Sequence, residues 1–448
     1  MRSQLIIATT LFLSGTLAWG QESAKQWSLE ECIRYAIEHN IDLKQKEQEQ
    51  ESRKVELNTS KFSWLPDLNA NVGQNFDFGR SPSKTGVIVD QNSANTSASV
   101  SLSMPIFDGL RIPNDIAARK LDLKAAVETL NKAKEDVALN VTSYYLQALF
   151  NKEILCIAQK QLEISRLQLK KIEKMVEQGR SSEASLYESR ALVAEDEMNV
   201  TQSENNLLLS LVDLSQLLNL EKAEGFDIEE PDMNSVTLQQ TASLVSPKDA
   251  FKFSVENRPG IKSALYALES SRFGLKQARS GYYPTLSFGA SYGTSYYHAY
   301  KGGDENNWTF AEQMRNNGSE TLGFTLSVPL FNRLVTRNQV KQARLQIRLQ
   351  ELALDNARQQ LYKEIEQAYY AAVAAHKKYI SSQKSVDAAR ISFEYEQKKY
   401  DAGKSTVFEY SDAKNKYEKS LSEQVQARYD FLFRSKVLDF YNGKPLAF

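Results

Sequence analysis

Few residues in this chain have the type and spacing that chemistry requires. The stretch Tyr400-Asp401-Ala402-Gly403-Lys404-Ser405-Thr406-Val407-Phe408-Glu409-Tyr410-Ser411-Asp412-Ala413 carries the most. Glu409 and Asp412 stand three residues apart and share one face of any helix that holds them. Two acids on a helix face are ordinarily a solvated surface. A sister stretch, Gln178-Gly179-Arg180-Ser181, lies upstream. Elsewhere the candidates are scattered. His39, His298 and His376 are isolated, and the spacing of Cys32 and Cys156 fits no metal site, so no metal and no cofactor is expected. No nucleophile is paired with a base and no glycine loop has phosphate-binding spacing, so no enzymatic activity is expected. A hydrolase would need a catalytic cluster around residues 221–246, where acids occur without His or Cys.

The elements that must carry those residues are strands and very long helices. In Thr96 to Pro105 the even positions Ala98, Val100, Leu102 and Met104 are apolar and the odd ones are serine, so a strand here has a greasy face and a hydroxyl face. The same alternation runs through Leu68, Ala70 and Val72, through Leu286, Phe288 and Ala290, and through Leu322, Phe324 and Leu326. A half-buried strand of a soluble sandwich usually shows Lys, Glu or Arg to water, and here charge is nearly absent. Strands of about ten residues with this pattern suit a barrel with lipid outside and water inside. The lipid-facing set is then Leu68, Val72, Val100, Leu102, Leu286, Phe288, Leu322, Phe324 and Leu326, with Phe76, Phe78, Tyr296, Tyr297 and Trp308 as an aromatic girdle. Four strands cannot close a barrel, and about eight fill their own lumen; three copies supplying about twelve are the smallest assembly with an open centre.

Only 19 Gly and 10 Pro punctuate 448 residues, and the formal net charge of −1 gives no reason to propose nucleic acid as a partner. Arg2, the apolar run Leu5 to Leu17 and Ala18-Trp19-Gly20 read as a secretory signal peptide over 1–20. The rest is written twice. Ser101 to Leu110, SLSMPIFDGL, recurs 224 residues later as Thr325 to Leu334, TLSVPLFNRL, and Gly179-Arg180-Ser181 recurs as Gly403-Lys404-Ser405. Leu65-Pro66 and Tyr283-Pro284 are 218 apart, which puts six extra residues in the second strand-to-strand loop.

Each half reads helix, strand, strand, long helix, return helix. The first repeat spans 21–220, with a first helix from Ser28 to Trp64, strands at about 65–78 and 96–105, and helices at about 113–178 and 182–220. The second spans 247–441, with strands at about 284–297 and 320–329 and helices at about 334–402 and 405–441. A linker, 221–246, and a tail, 442–448, stay outside. A helix without internal Gly or Pro over such a length is on the order of 100 Å long and must pack sideways on others. Ile116, Leu123, Leu130, Val137 and Tyr144 step by seven, as do Val340, Ile347, Leu354, Leu361 and Ala368, which is coiled-coil spacing. The fold class expected is mixed α and transmembrane β with an internal two-fold repeat. Each short return helix stacks end to end on a first helix beside a long one, making a tall tube under the strands.

On these junctions and turns the whole mature chain resembles the TolC-type outer-membrane efflux proteins. The resemblance implies a homotrimer with one 12-stranded β-barrel continuous with a long α-helical coiled-coil periplasmic tunnel, in the outer membrane of a Gram-negative bacterium. It implies a passive exit duct of an efflux or type I secretion system, docked to an inner-membrane transporter through a periplasmic adaptor. Gly179, Arg180, Ser181, Gly403, Lys404 and Ser405 would be the docking turns. Glu409 and Asp412 would ring the closed entrance, where repulsion among carboxylates raises some pKa values and attracts cations. The family closes that entrance with a tyrosine-to-arginine contact; Tyr400 matches the tyrosine, but Ser405 stands at the arginine position, leaving Lys404 or Arg180 as substitutes. Ser185 stands where an aspartate partner is expected. A periplasmic coiled-coil adaptor or scaffold is the alternative, and it leaves four lipid-patterned strands unexplained.

Overall fold

The computed structural model describes residues 26–82, 86–220, 225–231, 246–301 and 308–446; the expected signal peptide 1–20, most of the linker and Phe448 lie outside these. In chain order the elements are β1 (Gln26–Trp27), α1 (Leu29–His39), α2 (Ile41–Phe62), β2 (Asp67–Pro82), β3 (Ile88–Phe107), α3 (Arg111–Glu177), α4 (Glu183–Leu218), β4 (Asp227–Ile228), α5 (Pro247–Asn257), α6 (Pro259–Ser280), β5 (Thr285–Lys301), α7 (Phe310–Asn316), β6 (Ser319–Ser327), α8 (Val335–Asp401) and α9 (Val407–Tyr441).

A single first helix in each half is not what forms. Asn40 is extended, with ψ at 129°, and its side-chain oxygen accepts hydrogen bonds from the amides of Asp42 and Leu43, so α1 stops and α2 starts afresh. In the second half the break has a different cause. Pro259 drives the residue before it, Arg258, out of the helical region and then serves as the first residue of α6. Asn40 and Arg258 are 218 residues apart, the same spacing as Pro66 and Pro284.

The four long strands form one antiparallel sheet in the order β2-β3-β5-β6, so β2 and β6 are its outer edges. Opposed residues share a face. The register aligns Leu68, Leu102, Ala290 and Leu322 across all four strands, and Met104, Phe288 and Phe324 across three. One residue along, Asn69, Ser101, Ser291 and Thr321 align on the opposite face. Tyr297 leaves the expected girdle: it lies opposite Asn95 on the polar face, whereas Tyr296 lies opposite Thr96 on the apolar one. Trp308 sits before α7, outside the strands. The strand β3 begins at Ile88, well before the expected start, because β2 pairs with it as far as Pro82 even where side chains no longer alternate.

The helix α7 was not foreseen, although Thr309 and Glu312 form its capping box. Above Gly293, where β6 ends, α7 takes over the edge of β5. The Gln313 side chain accepts from the Tyr297 amide at 3.0 Å and donates to its carbonyl at 3.1 Å, and Asn317 donates to the Ser295 carbonyl.

Both α3 and α8 have 67 residues, about 100 Å, and each follows a left-handed leucine, Leu110 or Leu334. Hydrogen bonds from Ser60 to Asp115 and between Thr129 and Ser263 place α2 and α6 on the first half of α3; Arg166 with Glu197 and Asn151 with the Asn206 carbonyl place α4 on its second half. The seven-residue stripe holds for Leu130 and Val137 and then slips. Tyr144 is exposed, while Val141 and Tyr145 are buried, because a straight helix drifts about 20° per heptad. Short helices meet at the breaks: Asn40 donates to the Leu217 carbonyl, and Arg258 donates to the Phe440 carbonyl with its guanidinium 3.7 Å from the Phe440 ring. The described part of the linker docks at the same height, where β4 pairs in parallel with β1, Ile228 is buried and the Tyr145 hydroxyl donates to the Glu229 carbonyl.

Candidate functional site

At the end of the molecule far from the sheet, two hairpins turn back: α3 into α4 and α8 into α9. Their backbones close identically. Gly179 and Gly403 have φ of 67° and 70°, the Arg180 amide donates to the Met175 carbonyl at 2.7 Å, and the Lys404 amide donates to the Lys399 carbonyl at 2.9 Å. This is a Schellman closure, and it needs a residue content with positive φ.

Side chains then diverge. In the second turn the Thr406 hydroxyl accepts from the Glu409 amide at 3.2 Å, and the Glu409 carboxylate accepts from the Thr406 amide at 2.9 Å. The Ser405 hydroxyl stands between the carboxylates of Glu396 and Glu409, and Lys399 pairs with Glu396 at 3.0 Å. Hydrogen bonds from the Thr406 backbone, then from the Ser405 and Thr406 hydroxyls, hold the Glu409 carboxyl below the usual carboxylate range. One turn on, Asp412 pairs with Lys416 at 2.6 Å and is exposed. In the first turn Ser182 caps α4 by accepting from the Ser185 amide at 3.2 Å, and Ser185 supplies only a hydroxyl.

The four expected gate residues do not converge within one chain. Glu409, Asp412 and Lys404 are exposed, while Tyr400 is half-buried and faces the first hairpin across the groove that Gln168 also lines. Burial is the largest influence on its phenol and pushes its pKa up. Tyr400 also stacks on Tyr410 with ring centroids 5.0 Å apart. Lys171 and Asp401 pair across the hairpins at 2.7 Å. Between the two turns lies a groove of about 420 Å³ lined by Met175, Arg180, Ser182, Ser185, Gly403 and Thr406, so the expected docking turns sit side by side.

Farther in, the tip holds what sequence reasoning missed. The ammonium of Lys414 on α9 is completely buried and lies 2.6 Å from Asp196 on α4, 2.7 Å from Ser165 on α3 and 3.1 Å from Glu418 on its own helix. Burial pushes the Glu418 carboxyl up against the lowering pull of Lys414. The available signal was a lysine within the seam stripe Tyr410, Lys414, Tyr417, Leu421, Val425.

At the other end, Leu68, Val72, Val100, Leu322, Phe324 and Leu326 are exposed, while Leu102, Leu286 and Phe288 are half-buried. Among the described residues no helix is long and apolar enough to cross a membrane, and no group of His, Cys, Asp and Glu is arranged to hold a metal ion.

The sequence profile of a family described as outer membrane efflux protein matches residues 32–220 and 254–443. The outer membrane efflux protein BepC of Brucella suis is 18% identical over 99% of this chain and 91% of its own length. The outer membrane protein TolC of Escherichia coli is 23% identical, covering 96% of this chain and 84% of its own. Among solved structures, that of CusC, described in terms of folding and transmembrane channel formation, superposes with a TM-score of 0.74 at 15% identity, covering 92% of this chain and 91% of its own.

Proposed function

The chain belongs to the outer membrane efflux protein family, a family of channels rather than enzymes, and on that premise we propose how its parts work as an exit duct through the outer membrane. Three copies close one barrel, with β6 of one protomer pairing to β2 of the next. The observation that carries this is the open sheet: among the described residues its outer edges have no partner strand, yet one face is a continuous apolar surface. An unpaired edge in lipid is not tolerated, and closure by symmetry removes it. The row through Leu68, Leu102 and Leu322 then meets hydrocarbon, and the row through Asn69, Ser101 and Thr321 lines the water-filled lumen. The helices below continue that lumen across the periplasm as a tube built from two similar halves.

The tip is the closable entrance. In a trimer Glu409 and Asp412 stand as two rings of three carboxylates that draw in cations, with Tyr400 and Lys404 beside them. The turns at Gly179-Arg180-Ser181 and Gly403-Lys404-Ser405 receive the helical hairpin of a periplasmic adaptor, which couples the duct to an inner-membrane transporter and opens it. Fractionation tests the reading: the chain is expected in outer membranes as a detergent-resistant trimer that forms channels in planar bilayers. Recovery as a monomer in an osmotic-shock fraction would sink it and favour a periplasmic scaffold.

A further inference from the structure

Of the described lysines, Lys414 alone has no exposed surface. It lies eight residues past Thr406, about 12 Å along α9 from the turn. Taking an ammonium out of water is costly, and an apolar side chain there would hold the helices at least as well. The surroundings already supply apolar partners in Leu192, Phe393 and Tyr410. What the ion pair adds is reversibility. Asp196 and Ser165 belong to the first hairpin, whereas Lys414 and Glu418 belong to the second. If the hairpins separate, Lys414 keeps Glu418 four residues on and regains water. The Tyr410 hydroxyl, buried without a hydrogen-bond partner, gains one. An apolar seam would only lose contacts.

We propose that Lys414, Asp196 and Ser165 form a releasable latch between the two hairpins, positioning residues that hold the tip shut and pass the lysine to Glu418 when it opens. The proposal rests on the reading of the tip as the entrance of the duct, and the test separates the two. Purified trimers are compared in planar bilayers. Asp196→Asn is expected to raise the open-to-closed ratio roughly tenfold, because it removes one partner of a buried pair. A short bismaleimide joining Lys171→Cys to Asp401→Cys in a Cys156→Ser background should bring that ratio back down. Glu418→Gln should not raise conductance, and Lys414→Met combined with Asp196→Leu should conduct no more than the wild type. A wild-type trimer that never conducts overturns the duct and the latch with it. A conducting wild type with an unchanged Asp196→Asn, or a raised conductance that the cross-link leaves in place, overturns the latch alone. If Asp196→Asn does not assemble, Ser165→Ala carries the same two outcomes with a rise of about twofold, the size of one lost neutral hydrogen bond.

Discussion

The two hairpin tips have the same backbone and different chemistry. Gly179 and Gly403 close the same Schellman turn, and Ser182 and Thr406 cap the following helices at the same spacing of 224. At that spacing Ser185 answers Glu409, and Glu188 answers Asp412. At these two matched positions one tip therefore carries two carboxylates per chain, the first of them completing a capping box, and the other a serine and one carboxylate. The difference teaches that duplication preserved the fold of the turn while its charge was free to change. If the gate is electrostatic, it belongs to the second hairpin.

The largest effect that sharpens this contrast is on cation block. Replacing Glu409 and Asp412 together by Ala should weaken divalent-cation block of single-channel current by roughly tenfold, since the proposed trimer would lose two rings of charge. Glu188→Ala should change it far less, because Glu188 lines the groove between hairpins. Equal effects would remove the distinction. The next effect should be the same in both tips. A Cβ at Gly179 or Gly403 meets nothing within 4 Å, so Gly→Ala carries only the left-handed backbone penalty of about 1–2 kcal/mol. Amide exchange of each turn by mass spectrometry should rise equally in the two variants. A larger rise in one would mean that the turns bear unequal strain.

How much of this was legible depends on the kind of signal. The strand faces were readable because a period of two survives in Leu68 to Val72 and Ala98 to Met104 without knowledge of any partner. The turns were readable because positive φ selects glycine at 179 and 403. The breaks at Asn40 and Arg258 carried local signs, an N-cap asparagine and a following proline, which a strong helical pattern on either side masked. Tyr297 was misplaced because adjacent aromatics look alike until register assigns them to opposite faces. Lys414 was only half legible: its place in the seam stripe of α9 signals burial, but its partner Asp196 is 218 residues away and no local pattern pairs them.

A smaller effect separates the caps. Thr406→Ala removes the hydroxyl that accepts from the Glu409 amide and also donates to the charged Glu409 carboxylate, whereas Ser182→Ala removes an acceptor for the Ser185 amide and a hydrogen bond with the neutral Ser185 hydroxyl. The first should cost about 1 kcal/mol of local stability and the second about half that, within the range of N-cap substitutions. Exchange rates at 406–410 against 182–186 read the ratio, and a larger loss at the serine would reverse the assignment of the stronger cap.

Acid is the gentlest probe and the most selective one. The Glu409 carboxyl has an ordinary value of 4.5 when the turn is open and is lowered when the turn is formed, chiefly by the Thr406 backbone amide. A lowered folded value means that the carboxylate's contribution is complete above 4.5 and fades as pH falls through the folded value. Glu396, lowered first by its hydrogen bond from Ser405, acts in the same direction on the same turn. The first turn is capped by serine hydroxyls, which do not titrate. Taking the protein from neutral pH to about pH 3 should therefore speed exchange at the second tip relative to the first, since only there does protonation remove a cap. Glu409→Gln should flatten most of that difference. Loosening of both tips together would show that acid acts on the helical seam as a whole, and the electrostatic distinction between the hairpins would then reside in the carboxylates of the proposed entrance alone.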